Sequence, residues 1–250
     1  MTIPRYAETV PFLTTDQMIE VDRAMVEDFH IDLIQMMENA GRNLASLARE
    51  RFLDNHPVGK HVIVLAGTGG NGGGALVAAR RLHNWGAQVR IFLARPDKDF
   101  TPVPAHQLDI VRRMHAPVFQ AGTIQDIEQV DLIVDGIIGY SLKGAPRDGA
   151  GDLILWANAQ QAPILALDVP SGIDTTTGTV FDPAINAAAT MTLALPKKGL
   201  CAQNVQGHVG ELYLADISVP SSLYQEAFGL RVGPLFVKSD IIRLDSTPSC

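Results

Sequence analysis

Apolar residues follow two different spacings along the chain. Before residue 55, the segments TTDQMIEVDRAMVEDF (14–29) and DLIQMMENAGRNLASLARERF (32–52) carry apolar residues at helical spacing, which predicts two amphipathic helices. From residue 61 onward, short apolar runs alternate with further helical segments. These runs are HVIVLA (61–66), QVRIFLA (88–94), APVFQA (116–121), VDLIVDGIIG (130–139), APILALDVPSG (162–172), AATMTLALP (188–196) and GELYLADI (210–217).

The alternation of helical segments and short apolar runs favours an α/β protein with a parallel sheet that is covered by helices on both faces. Helices are predicted at 75–85, 104–115 and 149–161, and a short helical piece at 123–130. The last stretch, 233–250, has no clear element and is expected to hold a strand and a tail.

The most unusual stretch is GTGGNGGGA (67–75), which lies between the first of these runs and a helix. Six of the eight residues from Gly67 to Gly74 are glycine. Glycine lets the backbone adopt positive φ and lets a ligand approach the backbone amides. The helix that follows directs its free N–H groups and the positive end of its dipole toward the turn. The turn is therefore predicted to bind an anionic group of a ligand.

Composition and charge narrow the function classes. The chain of 250 residues is 46% hydrophobic and 19% charged, which is typical of a globular protein with a sizeable core. A net charge of −7 argues against a nucleic-acid partner, because phosphate binding needs a basic surface. Two cysteines do not form a disulfide framework, so we expect a reducing compartment. An apolar signal core and a run long enough to span a membrane are both lacking, so we predict a cytoplasmic protein.

Polar side chains follow several of the predicted strands. Asp135 ends the run VDLIVD, and Asp168 and Ser171 follow ILAL in LDVPSG. In open α/β sheets, ligands bind beyond the carboxyl ends of the strands, at the point where the strand order reverses. We therefore expect two carboxylates and the glycine turn to meet in one crevice, although an Asp at a strand end can equally be a turn former or a helix cap.

Two other interpretations of the motifs are weaker. The spacing Gly67-x-Gly69-x-x-Gly72 matches a dinucleotide fingerprint, but the acid expected at the end of the second strand is replaced by Arg95 in FLARPDKD. A hydride-transfer dehydrogenase is therefore poorly supported. Ser171 lacks the flanking glycines of a nucleophile elbow, and the histidines and cysteines do not have zinc-site spacing.

Five separated segments complete the motif pattern. They are MENAGRNLA (37–45), GTGGNGGGALVAAR (67–80), VDGIIGYSLKGAPR (134–147), LDVPSGIDTTTG (167–178) and LPKKGL (195–200). Together and in this order they resemble the YjeF N-terminal domain family, over about residues 12–220. The resemblance implies one domain with a three-layer αβα Rossmann-like fold. Its parts would be a helical N-terminal arm at about 12–55, a core at about 58–220 and a C-terminal tail at about 221–250.

The resemblance also implies an activity. The best-defined members of the family are NAD(P)HX epimerases, isomerases that interconvert the two epimers of hydrated NADH or NADPH in metabolite repair. A dehydratase that accepts one epimer completes the repair. Some members carry it fused after this domain, and we expect this chain to act with a separate one. Family members are often dimeric, so a homodimer is a further expectation.

Site residues follow from the resemblance position by position. It implies a K⁺ ion held by the oxygen atoms of Asn71, Asp135 and Ser171, as suits a hard cation, and it makes Asp168 the candidate acid/base. The substrate-binding residues implied are Gly70, Asn71, Gly72, Gly73, Gly74, Gly139, Tyr140, Ser141, Leu142, Lys143, Gly144 and Asp168.

The glycine loop lacks two polar residues of the family pattern. The family usually has Asn-Asn-Gly-Gly-Asp-Gly, whereas this chain has Gly70 at the first position, Gly74 at the fifth and Ala75 at the sixth. A lost hydrogen-bonding partner can cost about 1–3 kcal/mol. Tyr140 replaces the usual small Thr or Leu and could narrow the glycine-flanked loop at 139–144. These departures keep open an alternative, a catalytically altered or inactive module that binds a nucleotide or a protein.

Two pairs of charged or polar residues have more than one interpretation. Lys197 and Lys198 in LPKKGL are candidates to contact a phosphate, or to form a solvated pair. Glu38 and Asn39 in MENAG could face the site from the N-terminal arm, but a role in capping or orienting that helix is favoured.

Overall fold

The computed structural model describes residues 3–125 and 127–245. Its helices and strands alternate along most of the chain. The helices are α1 (Thr15–Glu27), α2 (Leu33–Phe52), α3 (Gly70–Asn84), α4 (Pro102–Arg113), α5 (Asp148–Asn158), α6 (Gln206–Val209) and α7 (Ser221–Phe228). The strands are β1 (Arg5–Tyr6), β2 (His61–Ala66), β3 (Gln88–Leu93), β4 (Val118–Gln120), β5 (Leu132–Gly136), β6 (Ile164–Leu167), β7 (Ala189–Leu193), β8 (Glu211–Ala215) and β9 (Ile241–Leu244).

The strands form one nine-stranded sheet in the order β1-β9-β8-β7-β6-β5-β2-β3-β4. Neighbouring strands are parallel throughout except at β8 and β9, which pair antiparallel. From β2 the chain builds outward through β3 and β4, and then returns to the other side of β2 to add β5 to β8. The strand order therefore reverses between β2 and β5, where ligands bind in sheets of this kind.

Helices cover both faces of the sheet, which confirms the predicted three-layer α/β fold. The face that carries Val62 and Val64 packs against α2, α3 and α4 in one apolar cluster. The opposite face, with Ile63 and Leu65, packs against α5. Beyond β7 that opposite face is covered by α1 and α7. The strands are buried on both faces, which explains why they read as continuous apolar runs rather than alternating ones.

The N-terminal arm begins with two well-capped helices. Thr14 caps α1 in a capping box with Gln17, and Asp32 and Gln35 form the same arrangement at the start of α2. The segment before α1 is fixed to the sheet edge, because the amide of Leu13 donates to the carbonyl of Pro196 at 2.9 Å. The arm therefore lies directly against the segment that follows β7.

Two parts of the chain differ from the sequence prediction. The helical piece predicted at 123–130 is wrong: its described residues contain no α-helix, and a 3-10 turn at Ala121–Thr123 ends where the piece was expected to begin. A segment this short cannot offset the cost of helix nucleation unless packing supports it. Near the C-terminus, α7 was not predicted, whereas the expected strand is β9. The end of the expected tail, with Cys250, lies outside the described residues.

The lengths and composition of the helices show whether any of them could span a membrane. In the described part of the chain, none of them is both long enough and apolar enough to cross a bilayer.

The glycine turn after β2 owes its shape to close backbone contacts. A Cβ at Gly72 would lie 1.8 Å from the carbonyl oxygen of Gly67, whereas a Cβ at Gly70 would have only the Met37 methyl, 4.0 Å away. We expect Gly72→Ala to lower the free energy of unfolding by at least about 1–3 kcal/mol through overpacking. Gly70→Ala should leave it unchanged or raise it by up to about 1 kcal/mol. Urea denaturation of both variants checks this, and equal stability of the two would contradict the geometry.

Candidate functional site

A cavity opens at the carboxyl edge of the sheet, beside the point where the strand order reverses. It encloses about 340 Å³ and is bounded by the loops that follow β2, β5 and β6, with α1 and α2 forming another wall. Apolar side chains such as Met18, Met36 and Leu167 line much of it. The polar side chains at its walls include Asn71, Asp168, Tyr140, Ser141, Thr68 and Asp22. A mostly apolar cavity with a few convergent polar groups is typical of small-molecule sites.

Asp168 lines this cavity and is 4% exposed. Its carboxylate forms a very short ion pair with the Lys197 ammonium, which is fully buried. Lys197 also donates to the carbonyl of Leu193 at 2.8 Å and to the Thr192 hydroxyl at 3.3 Å. The Leu193 amide donates to Asp168 Oδ1 at 3.3 Å. A buried charge needs such partners, because desolvation alone would be costly.

Asp168 has an unusual backbone conformation, and the chain turns away from the sheet at this residue. Its φ is +66°, in the left-handed region, which among non-glycine residues mainly Asn and Asp adopt. The Asp168 amide still donates to the carbonyl of Met191 on β7 at 2.7 Å, so the chain turns immediately after the last strand contact. An unusual conformation held by its surroundings is a mark of functional sites.

A second carboxylate, Asp135, is fully buried one strand away. The groups that hydrogen-bond to it are neutral: the Ser171 hydroxyl at 2.6 Å, the Ser171 amide at 2.8 Å and the Ile137 amide at 3.1 Å. Burial raises the pKa of the Asp135 carboxyl to about 6, although these hydrogen bonds lower it. Asp135 and Ser171 thus tie the loop after β5 to the loop after β6.

Asn71 lies at the start of α3, next to the loop after β5. Its side-chain amide donates to the carbonyl of Leu167 at 2.9 Å, which leaves its carbonyl oxygen for another partner. That oxygen faces the loop after β5, since a Cβ at Gly139 would lie 3.2 Å from it.

The other residues singled out in the sequence lie in three places. The walls of the cavity include Gly70, Asn71, Gly139, Tyr140, Ser141 and Asp168. A neighbouring cavity of about 400 Å³ contains Leu142, Lys143 and Gly144 and shares Thr68, Ile137 and Ile138 with the first. Gly72, Gly73 and Gly74 line neither cavity, because they face the Gly67 backbone, Met37 and Leu167 inside the protein.

Sequence reasoning missed two features of the site. Lys197 was predicted either to contact a phosphate or to belong to a solvated pair, but it is buried and paired with Asp168. The one signal in the sequence was its position just after the end of a strand. Asp22, on α1, accepts a very short hydrogen bond from the Tyr140 hydroxyl, and no motif pointed to it. Glu38 lines no wall of the cavity and instead binds Arg80 of α3, as the favoured helix-orienting role requires.

Comparison with known proteins shows the family of the chain. A family model described as the YjeF-related protein N-terminus matches residues 33–199. The chain belongs to this family. Among its relatives, the NAD(P)H-hydrate epimerase of Dehalogenimonas lykanthroporepellens is 38% identical over 240 residues, 94% of this chain and 93% of that protein. The NAD(P)H-hydrate epimerase of Limosilactobacillus fermentum is 32% identical, covering 82% of this chain and 95% of that protein.

Longer members of the YjeF-related family also match. The bifunctional NAD(P)H-hydrate repair enzyme of Salinibacter ruber is 33% identical over 87% of this chain, which spans only 42% of that enzyme. Among solved structures, the crystal structure of yeast ynu0 superposes with a TM-score of 0.78 at 25% identity, covering 94% of this chain and all of that one.

The buried pair of Asp168 and Lys197 leads to a prediction about the free energy of unfolding. Lys197→Met should lower the free energy of unfolding by about 3–5 kcal/mol, because it leaves the Asp168 carboxylate buried without its counter-charge. Adding Asp168→Asn to that variant should restore part of the loss. The same change at the exposed Lys98 should have little effect. Urea denaturation at pH 7.5 measures all four proteins. A Lys197→Met variant as stable as Lys98→Met would contradict the assigned pairing.

Proposed function

We infer that this chain is an NAD(P)H-hydrate epimerase, which interconverts the two epimers of hydrated NADH or NADPH. The observation that carries this function is the Asp168 carboxylate, held by Lys197 at the wall of a largely apolar cavity where the strand order reverses. Relatives of similar length that match most of the chain bear this name.

The reaction inverts one carbon, which bears the added hydroxyl on the reduced nicotinamide ring. Inversion requires that a bond at this carbon breaks and re-forms, and both steps move a proton. Asp168 is the group proposed to take and return it, since a carboxylate next to a bound ring can act as both acid and base. Lys197 and the Leu193 amide hold the carboxylate in place, so that its orientation does not depend on the ligand.

The rest of the cavity suits a nicotinamide nucleotide. The apolar side chains of α1 and α2 would contact the ring and exclude water from it, as Met18 and Met36 are placed to do. The phosphates would lie against the backbone amides at the start of α3, where the positive end of the helix dipole also favours an anion. The neighbouring cavity, which reaches Lys143 and Arg147, extends this surface.

The alternative of an inactive binding module rests on the altered glycine loop. Of the two positions that lose a polar residue, only Gly70 lines the cavity, while Gly74 packs under Leu167. The proposed acid/base and its lysine are intact. Together with the names of the high-coverage relatives, this favours the enzyme.

We further propose that K⁺ is bound between the loops after β5 and β6. Asp135 is a fully buried carboxylate whose hydrogen-bond partners are neutral, so a cation would compensate its charge. The Ser171 hydroxyl and the side-chain oxygen of Asn71 would complete an oxygen donor set, which suits a hard cation. Bound there, K⁺ would fix the loops and supply positive charge near the substrate.

A dehydratase is the partner that this chemistry requires, because epimerisation alone leaves the nucleotide hydrated. Bifunctional relatives are named as NAD(P)H-hydrate repair enzymes and are more than twice as long as the region that matches. We propose that this chain supplies its product to a separate dehydratase. The homodimer implied by the family resemblance remains a prediction.

The epimerase assignment predicts the behaviour of Asp168→Asn. This change keeps a residue that tolerates the left-handed backbone at position 168 and removes the proton-carrying carboxylate. Its kcat should fall at least about 100-fold. The assay supplies the slow epimer of NADHX and an excess of an epimer-specific dehydratase. The control is Asp152→Asn, an exposed acid on α5, which should match the wild type. Wild-type turnover equal to the spontaneous rate would contradict the assignment.

The cation site predicts a specific thermal stabilisation. Replacing tetramethylammonium by K⁺ at constant ionic strength should raise the Tm of the wild type, because a ligand that binds only the folded state stabilises it. The rise should vanish in Asp135→Asn and persist in Asp152→Asn. Differential scanning fluorimetry measures both. An equal rise in all three proteins would reveal a general salt effect and overturn the proposed site.

A further inference from the structure

The cavity holds a second acid, the half-buried Asp22, that the proposed function does not use. Asp22 projects from α1, whereas Asp168 follows β6, so the two carboxyls reach the cavity from different walls. The Tyr140 hydroxyl from the loop after β5 donates a very short hydrogen bond to Asp22 Oδ2. All three side chains line the same 340 Å³ space.

The charges around Asp22 make it different from an ordinary surface acid. Burial raises the pKa of the Asp22 carboxyl above 3.8, and the charge of Asp168 raises it further, while the Tyr140 hydrogen bond and Lys197 lower it. Burial and the nearby Asp22 carboxylate also raise the pKa of the Tyr140 hydroxyl. Asp168 is directly paired with Lys197, but Asp22 is bound by a neutral phenol. Two carboxyls in one cavity therefore have opposite surroundings, a pattern typical of an acid and a base.

The chemistry of epimerisation calls for two such groups. The hydroxyl-bearing carbon is bonded to the ring nitrogen, so the nitrogen lone pair can stabilise a cation when the C–O bond breaks. A proton donated to the hydroxyl lets it depart as water with the bonding electrons. Water then adds from the opposite face, and a base removes its proton. The carbon is inverted, one proton is given and one is taken, and no oxidant or reductant is consumed.

We propose that the Asp22–Tyr140 pair is a second proton-transfer group of this site, acting on the substrate from a different element than Asp168 does. This inference rests on the proposed epimerase function. Asp22 gives the proton that expels the hydroxyl, Asp168 takes the proton of the entering water, and the two exchange roles in the reverse direction. Tyr140 holds the Asp22 carboxyl toward the cavity and is a positioning residue.

Isosteric variants test the pair, in the full chain, with the slow epimer of NADHX and the dehydratase-coupled assay. Asp22→Asn should lower kcat about 100-fold or more, as loss of a general acid does, while KM stays within about threefold. Tyr140→Phe should lower kcat by a smaller factor. The control is Asp16→Asn, an exposed acid on the same helix, which should match the wild type. Thermal melting of each variant separates lost chemistry from lost folding.

The pH profile distinguishes proton transfer from a structural role. If Asp22 acts as the acid, wild-type kcat falls on the alkaline side as its carboxyl loses the proton. The groups that face it are Tyr140, Asp168 and Lys197, and all three are retained in Asp22→Asn. That alkaline limb should therefore disappear in the variant. A folded Asp22→Asn with wild-type kcat, or with lower kcat and an unchanged pH profile, would overturn the proposal. Wild-type protein without turnover would instead overturn the epimerase function.

Epimerisation in ¹⁸O-labelled water tests whether the C–O bond of the hydroxyl-bearing carbon breaks. In ¹⁸O-water, each catalysed epimerisation should place one solvent oxygen on the ring, above the spontaneous exchange measured without protein. Full retention of the original oxygen during catalysed turnover would overturn the proposal, because water then never leaves the carbon.

Discussion

The ion pair between Asp168 and Lys197 is the interaction on which the site depends. A carboxylate in a mostly apolar cavity needs a counter-charge, and Lys197 supplies it from a position with no exposed surface. The segment that carries Lys197 also fixes the N-terminal arm, since the Lys198 amide donates to the carbonyl of Leu13 at 2.8 Å. Helix α1 begins just after this contact, so the segment that carries Lys197 also fixes the start of the helix that carries Asp22.

The acids of the site differ because their partners differ. Asp135 is surrounded by neutral donors, and burial raises its pKa to about 6. Asp168 is bound to an ammonium, and Asp22 to a phenol. The site thus holds three carboxyls that differ in charge environment, which supports assigning them to a cation, a base and an acid. The topology brings Asp135 and Asp168 together, because β5 and β6 end beside the point where the strand order reverses, and α1 adds Asp22.

Much of this arrangement could be predicted from the sequence. The apolar runs and the glycine turn were enough for a parallel sheet with helices on both faces, and the strand-end positions of Asp135 and Asp168 placed both acids at one edge. Contacts between distant segments could not be predicted in this way. In the sequence, Lys197 and Lys198 resemble a pair of exposed lysines. Asp22 lies on a helix whose apolar spacing does not reveal which of its polar residues lines the cavity. Both roles depend on how α1 and the β7 loop pack.

The most direct test of the central claim uses pure epimers without any coupling enzyme. Each epimer of NADHX would be incubated separately with the protein in K⁺ buffer, and the epimer ratio followed by proton NMR. We expect both samples to reach the same epimer ratio far faster than they do without protein. Ratios that change only at the spontaneous rate, in the presence of folded protein, would contradict it.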